Sequence, residues 1–158
     1  MKLMQKLLQQ DILTEGDFLK IYAVIDTNVL VSAALNHKSI PAMVIEKIFN
    51  NKIIPILHPD IVNEYHEVLK RPKFKFDNTV VDTLIDSIIS KAIFIDPEHI
   101  NESLPDPKYA IFYEVVMSAK DNAFSESYLV TGNLKHFPIK TFIVNPRDFL
   151  YILEKQLQ

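Results

Sequence analysis

Four short stretches of this chain hold side chains able to do chemistry. The first is Ile25-Asp26-Thr27-Asn28-Val29-Leu30, where an acid directly follows an apolar run. Ile21–Ile25 reads as a buried strand, so Asp26 stands at a strand's carboxyl end, where a metal ion or a phosphate can be met. Thr27 and Asn28 can orient that carboxylate or cap the next helix, and capping is also the plain alternative for Asp26 itself. The second stretch is Pro59–Lys70, read as a helix with Ile61, Val62, Tyr65, Val68 and Leu69 on one apolar face. Glu64 lies about 95° from the centre of that face and Glu67 about 155° from it. A ligand for a site at a sheet edge must be a border residue, so Glu64 fits and Glu67 faces solvent. The third is the turn Leu104-Pro105-Asp106-Pro107-Lys108-Tyr109, which leads into a helix with core face Ile111, Phe112, Val115, Val116 and Ala119. Asp106 either caps that helix or ligates a metal. The fourth runs from Leu129 to Pro138, a strand entering a turn. Thr131 and Asn133 are its polar members, and Gly132 allows an unusual backbone angle.

These residues need elements to position them. Short apolar runs at Ile21–Ile25, Ile53–Leu57, Ile93–Ile95, Tyr128–Val130 and Phe142–Val144 read as strands. Helical patterns lie at Pro41–Asn50, Pro59–Lys70, Asp77–Lys91 and Lys108–Lys120, with a last helix opened by Asn145-Pro146-Arg147-Asp148. Pro55 inside the second strand points to a sheet edge or a strand terminus. The alternation of strand and helix predicts an α/β fold, a mostly parallel sheet of about five strands with helices on both faces. Residues 1–19 stand apart as an N-terminal extension before a domain over 20–158. Leu3, Met4, Leu7 and Leu8 share one helical face, which fits an amphipathic arm or a frayed end.

Composition narrows the function classes. A length of 158 residues suits one domain with one sizeable core. Cysteine is absent, which removes disulfides, thiolate zinc sites and cysteine nucleophiles. Only two glycines occur, Gly16 and Gly132, so there is no glycine-rich phosphate loop. No stretch is long and apolar enough to span a bilayer, and Met1–Leu8 lacks the apolar run of a signal peptide. The expectation is a soluble cytoplasmic protein. A net charge of −3 argues against tight non-specific duplex binding but not against clustered ligand carboxylates.

Taken together, four segments resemble the PIN-domain family, and more closely its toxin branch in toxin–antitoxin systems. They are AVIDTNVLVSAAL (Ala23–Leu35), EYHEVLKRPKF (Glu64–Phe74), PDPKYAIFYEV (Pro105–Val115) and YLVTGNLKHFPIKTFIVNPRDFL (Tyr128–Leu150). The resemblance covers about Lys20 to Leu153. It implies a Rossmann-like three-layer αβα fold, with acids around Mg²⁺ or Mn²⁺ that hydrolyse single-stranded RNA. It also implies a small antitoxin protein as partner, and homodimers are common in the family. By position the first acid is Asp26 and the second Glu64. The third position, usually the last Asp of Asp-Pro-x-Asp, is Tyr109 here, and Asp106 survives three residues earlier as a displaced candidate. Glu114 also survives, but on a helix it points about 140° away from Tyr109. The fourth position is Asn133, where many relatives have Asp.

The resemblance therefore assigns Asp26, Glu64 and Asp106 as catalytic and metal-binding residues, supported by Thr27, Asn28, Thr131, Asn133 and Tyr109. The patch Lys70-Arg71-Pro72-Lys73-Phe74-Lys75-Phe76 interleaves cations with aromatics. It suits an RNA backbone and a stacked base, with Arg71, Lys73 and Lys135 as candidate contacts, although a solvated helix end is the favoured reading. A catalytically degenerate PIN-like module that binds RNA or protein is the alternative, motivated by Tyr109 and Asn133. A phosphoacceptor receiver-like fold is disfavoured, because the first strand lacks that fold's acidic pair.

Overall fold

The computed structural model describes residues 20–122, 124 and 126–156, so the N-terminal extension expected over 1–19 lies outside the described residues. Among these residues five strands form one sheet: β1 (Ile21–Ile25), β2 (Ile53–Leu57), β3 (Ile93–Phe94), β4 (Ser127–Val130) and β5 (Ile143–Val144). Their spatial order is β3-β2-β1-β4-β5, and every neighbouring pair is parallel. A parallel strand covered on both faces needs continuous apolar sequence. β1 and β2 (IYAVI and IIPIL) meet that need, and four of the five residues in each are buried.

Among the described residues six helices flank the sheet: α1 (Thr27–Leu35), α2 (Ile40–Phe49), α3 (Pro59–Leu69), α4 (Asn78–Lys91), α5 (Ala110–Asp121) and α6 (Pro146–Gln156). Local capping chemistry sets the starts of α2 and α4. The Ser39 hydroxyl accepts from Ala42 N at 3.2 Å, ahead of Pro41 in the first turn of α2. Asp77 accepts from Thr79 N at 2.8 Å and Val80 N at 3.2 Å and starts α4. The expected helix at Lys108 instead opens with a 3-10 turn, Pro107–Tyr109, before α5 takes over. Buried Val44, Ile48, Ile61, Leu69, Ile85, Phe112, Val116 and Phe149 close the core from the helical side.

Pro55 does not mark an edge, because β2 lies inside the sheet between β1 and β3. Its tolerance is local. Ile95 N donates to Leu57 O at 3.0 Å, so odd-numbered residues of β2 point their backbone groups toward β3. β3 begins opposite Ile56, one residue too late to need an N–H from position 55.

The chain steps from β1 outward to β2 and β3, then returns to the other side of β1 with β4. The carboxyl ends of β1 and β4 therefore form the switch point of the sheet, where open α/β folds place their ligands. Ile25 lies in register with Val130, so Asp26 and Thr131 emerge side by side.

Candidate functional site

Asp26 takes the N-cap position of α1, yet its side chain makes no capping bond. It is 1% exposed. Its Oδ2 accepts from the Thr131 hydroxyl at 2.7 Å and from Asn28 Nδ2 at 3.2 Å. Asn28 also reaches the second strand end, where its Oδ1 accepts from Gly132 N at 3.0 Å and ties the two turns together. Thr131 Oγ1 in turn accepts from Asn133 N at 3.0 Å. The carboxylate is thus aimed by a closed set of hydrogen bonds between the β1 and β4 turns.

Gly132 serves this set by its size. Its φ is not positive, so the unusual backbone angle expected there is absent. A Cβ at this position would sit 3.3 Å from Asn28 Oδ1, tight enough to push the amide aside.

The second carboxylate comes from α3. Glu64 is half-buried at the border of the helix and Glu67 is exposed, as the helical periodicity required. Thr27 donates its hydroxyl to Glu64 Oε2. One residue on, the fully buried Tyr65 donates its hydroxyl to Ile25 O at 2.5 Å. That bond pins α3 to the end of β1, immediately before Asp26. Periodicity counted Tyr65 among the apolar residues and missed this role. The available signal was its hydroxyl, which needs a partner once buried. Burial, then the charges of Asp26 and Glu64, hold the Tyr65 phenol far above its ordinary range, so it remains a donor.

Electrostatics set the two carboxylates against each other. Burial is the largest influence on Asp26 and raises its carboxyl above the ordinary 3.8, and the Glu64 charge adds to the rise. The Thr131 hydroxyl, the Thr27 backbone N–H and the nearby His136 oppose it. A buried acid beside a second acid is a place for a cation, which relieves both costs.

Asp26, Thr27, Asn28 and Glu64 line a cavity of about 270 Å³ together with Ser32, Arg71, Phe74, Lys108 and Tyr109. Of the interleaved basic patch, Arg71 and Phe74 line the cavity, and Lys70 and Lys75 do not. Lys73 and Lys135 do not line this cavity. Asn133 enters the network through its backbone. Asp106 also stays outside the cavity: its Oδ1 accepts from Lys108 N at 3.2 Å and caps the 3-10 turn. Glu114 faces elsewhere, accepting from Ile100 N at 3.0 Å. Tyr109 is packed among rings, stacked on His136 at 4.6 Å and edge-on to Phe137 at 5.4 Å.

The PIN domain family model matches residues 22–135. This chain belongs to the PIN domain family. The matched span holds β1, the α3 acid, the Asp106 turn and the β4 turn, so it contains the whole cavity. PIN domains are typically nucleases, hydrolases of phosphodiester bonds, and they generally use divalent metals. The chain is also similar to the uncharacterized protein MJ1680 of Methanocaldococcus jannaschii, 27% identical over 152 residues, covering 87% of this chain and 94% of the relative. No solved structure matches the chain.

The residues fit a divalent ion by their chemistry. Two carboxylates and the Thr27 hydroxyl offer oxygen donors, which suits Mg²⁺ or Mn²⁺, while Asn28 Oδ1 is engaged by Gly132 N. Among the described residues no group of three or more His, Asp or Glu gathers to hold a metal. An ion here would take two protein carboxylates and fill its shell with water and substrate, as Mg²⁺ commonly does. No helix among the described residues is long and apolar enough to cross a membrane.

Proposed function

We propose that this PIN domain is a metal-dependent endoribonuclease that hydrolyses single-stranded RNA, and that it acts as the toxin of a toxin–antitoxin pair. The observation that carries the nuclease reading is Asp26: a buried carboxylate at a helix N-cap that does not cap, held toward a cavity beside Glu64. The toxin role rests on the likeness of the four segments, Ala23–Leu35, Glu64–Phe74, Pro105–Val115 and Tyr128–Leu150, to that branch of the family.

In this reading Asp26 and Glu64 would hold the ion. When bound, such an ion supplies Lewis-acid polarisation of the phosphate and a nucleophilic water at neutral pH. Thr131 and Asn28 fix the direction of Asp26, and Thr27 fixes Glu64. Arg71 and Lys108, on the cavity wall, draw in the phosphates.

Calorimetric titration with Mn²⁺ tests the site, using wild type and Asp26→Asn, with a single-stranded RNA cleavage assay on the same samples. Binding and cleavage that both depend on Asp26 support the nuclease. RNA binding without Mn²⁺ binding or cleavage in the wild type supports a second reading, a degenerate binding module. That reading is motivated by Tyr109 and Asn133 at positions where the family usually has acids. Growth arrest on induced expression that Asp26→Asn abolishes supports the toxin role; unimpeded growth with active enzyme removes it.

A further inference from the structure

Tyr109 stands where the family's third acid would be, and its surroundings suit a different role. Its ring is backed by His136 at 4.6 Å and nearly parallel to it, 18° apart, and the flexible Lys108 side chain brings its Nζ over the ring, 5.1 Å from the centre. Phe74 reaches the same cavity from the turn after α3, and its setting has the same construction. Its ring is backed by Phe76 at 5.7 Å and 14°, and Lys73 Nζ lies 5.1 Å from its centre. Each ring is therefore held by an aromatic neighbour and accompanied by a cation, and Phe74, Tyr109, Lys108 and Arg71 line one cavity, with Lys73 behind the Phe74 ring outside it.

An aromatic ring fixed beside a cation is how proteins hold single-stranded nucleic acid, with the ring stacking a base and the cation meeting a phosphate. The Arg71 pair with Glu67 is a 3.8 Å contact between exposed side chains, worth little, so a phosphate can replace it. We propose that Phe74 and Tyr109 are base-stacking residues that seat single-stranded RNA beside Asp26 and Glu64, Tyr109 giving up a metal ligand for a base contact. The proposal rests on the ribonuclease reading for its choice of ligand, but its test does not need cleavage. Stacking is sequence-tolerant, so these residues select for unpaired, stackable bases rather than for a particular sequence.

The test is fluorescence anisotropy of the full chain in EDTA, with labelled six-nucleotide uridylate or adenylate and with an abasic oligomer of equal charge. Phe74→Ala and Tyr109→Ala each weaken binding of the base-bearing oligomers about tenfold and leave the abasic oligomer within about twofold. Tyr109→Phe retains wild-type affinity for both. Arg71→Ala weakens both oligomers alike, as a phosphate contact does. Phe74 lies in a short turn outside the core, so its variant reads stacking apart from folding. Equal losses on the two oligomers, no loss on either, or no binding by the wild type overturns the proposal. The nuclease reading is judged separately by cleavage with Mn²⁺. Cleavage without base-dependent binding leaves the nuclease and removes the clamp, and base-dependent binding without cleavage does the reverse.

Discussion

Two turns of this molecule begin alike and end differently. Each places an Asp at the N-cap of a helical segment: Asp26 before α1 and Asp106 before the 3-10 turn that starts α5. Asp106 caps its own turn through Lys108 N and stays partly exposed. Asp26 makes no capping bond, is buried, and accepts from a hydroxyl and an amide brought from the two strand ends. The residue type and the local role are the same. What differs is the neighbour: Asp26 emerges in register with the end of β4, while Asp106 follows a loop with no strand beside it. An acid that declines its cheapest local hydrogen bond is being held for something else.

The largest expected effect strikes the first turn. Asp26→Asn lowers RNA cleavage by about 100-fold or more, as loss of a principal metal ligand does. The same variant folds and is more stable than wild type at neutral pH in the absence of metal. The sign follows from the raised carboxyl of Asp26. Between the ordinary 3.8 and the higher folded value the native state binds more protons than the unfolded chain, so wild-type stability falls as pH rises through that window. Urea unfolding from pH 3 upward reads this slope, and Asp26→Asn flattens it. A steeper slope in the variant would contradict the burial argument.

Next in size is a substitution that makes the second turn resemble a metal site. Tyr109→Asp puts a third carboxylate on the cavity and tightens Mn²⁺ binding about tenfold in calorimetry, while destabilising the apo protein through repulsion with Asp26 and Glu64. Unchanged affinity would mean that position 109 does not face the ion.

Tyr65→Phe tests the pin behind the first turn. It leaves Ile25 O without its donor and costs about 1–3 kcal/mol in chemical unfolding. Because Glu64 and Tyr65 share one helix turn, Mn²⁺ affinity weakens as well, which loss of packing elsewhere does not cause.

The smallest effect belongs to the second turn. Asp106→Ala costs about 1 kcal/mol, the worth of a lost cap, and leaves Mn²⁺ binding and cleavage unchanged. A loss of metal affinity there would erase the contrast and return Asp106 to the site.

The strands, the helices and the parallel α/β class were legible because they rest on local patterns: apolar runs, helical periodicity and capping residues. The border position of Glu64 was legible for the same reason. Legibility ended where partners are remote. The hydrogen bond from Thr131 to Asp26 joins residues 105 apart in the chain, and that from Tyr65 to Ile25 spans 40. Neither has a periodicity to betray it. The Gly132 turn was found from sequence for a conformational reason, yet the structure uses its missing Cβ instead.

By itself the sequence determined which residues could carry charge at strand ends and which fold class would hold them, because helical and strand periods are written in nearest neighbours. The tertiary structure decided which acids meet. Inserting β4 beside β1, after the chain has left to build β2 and β3, sets Thr131 against Asp26, while α3 carries Glu64 to the same edge and Asp106 remains at its own helix start. That choice depends on strand order and register, which arise only when the whole sheet buries its apolar faces together.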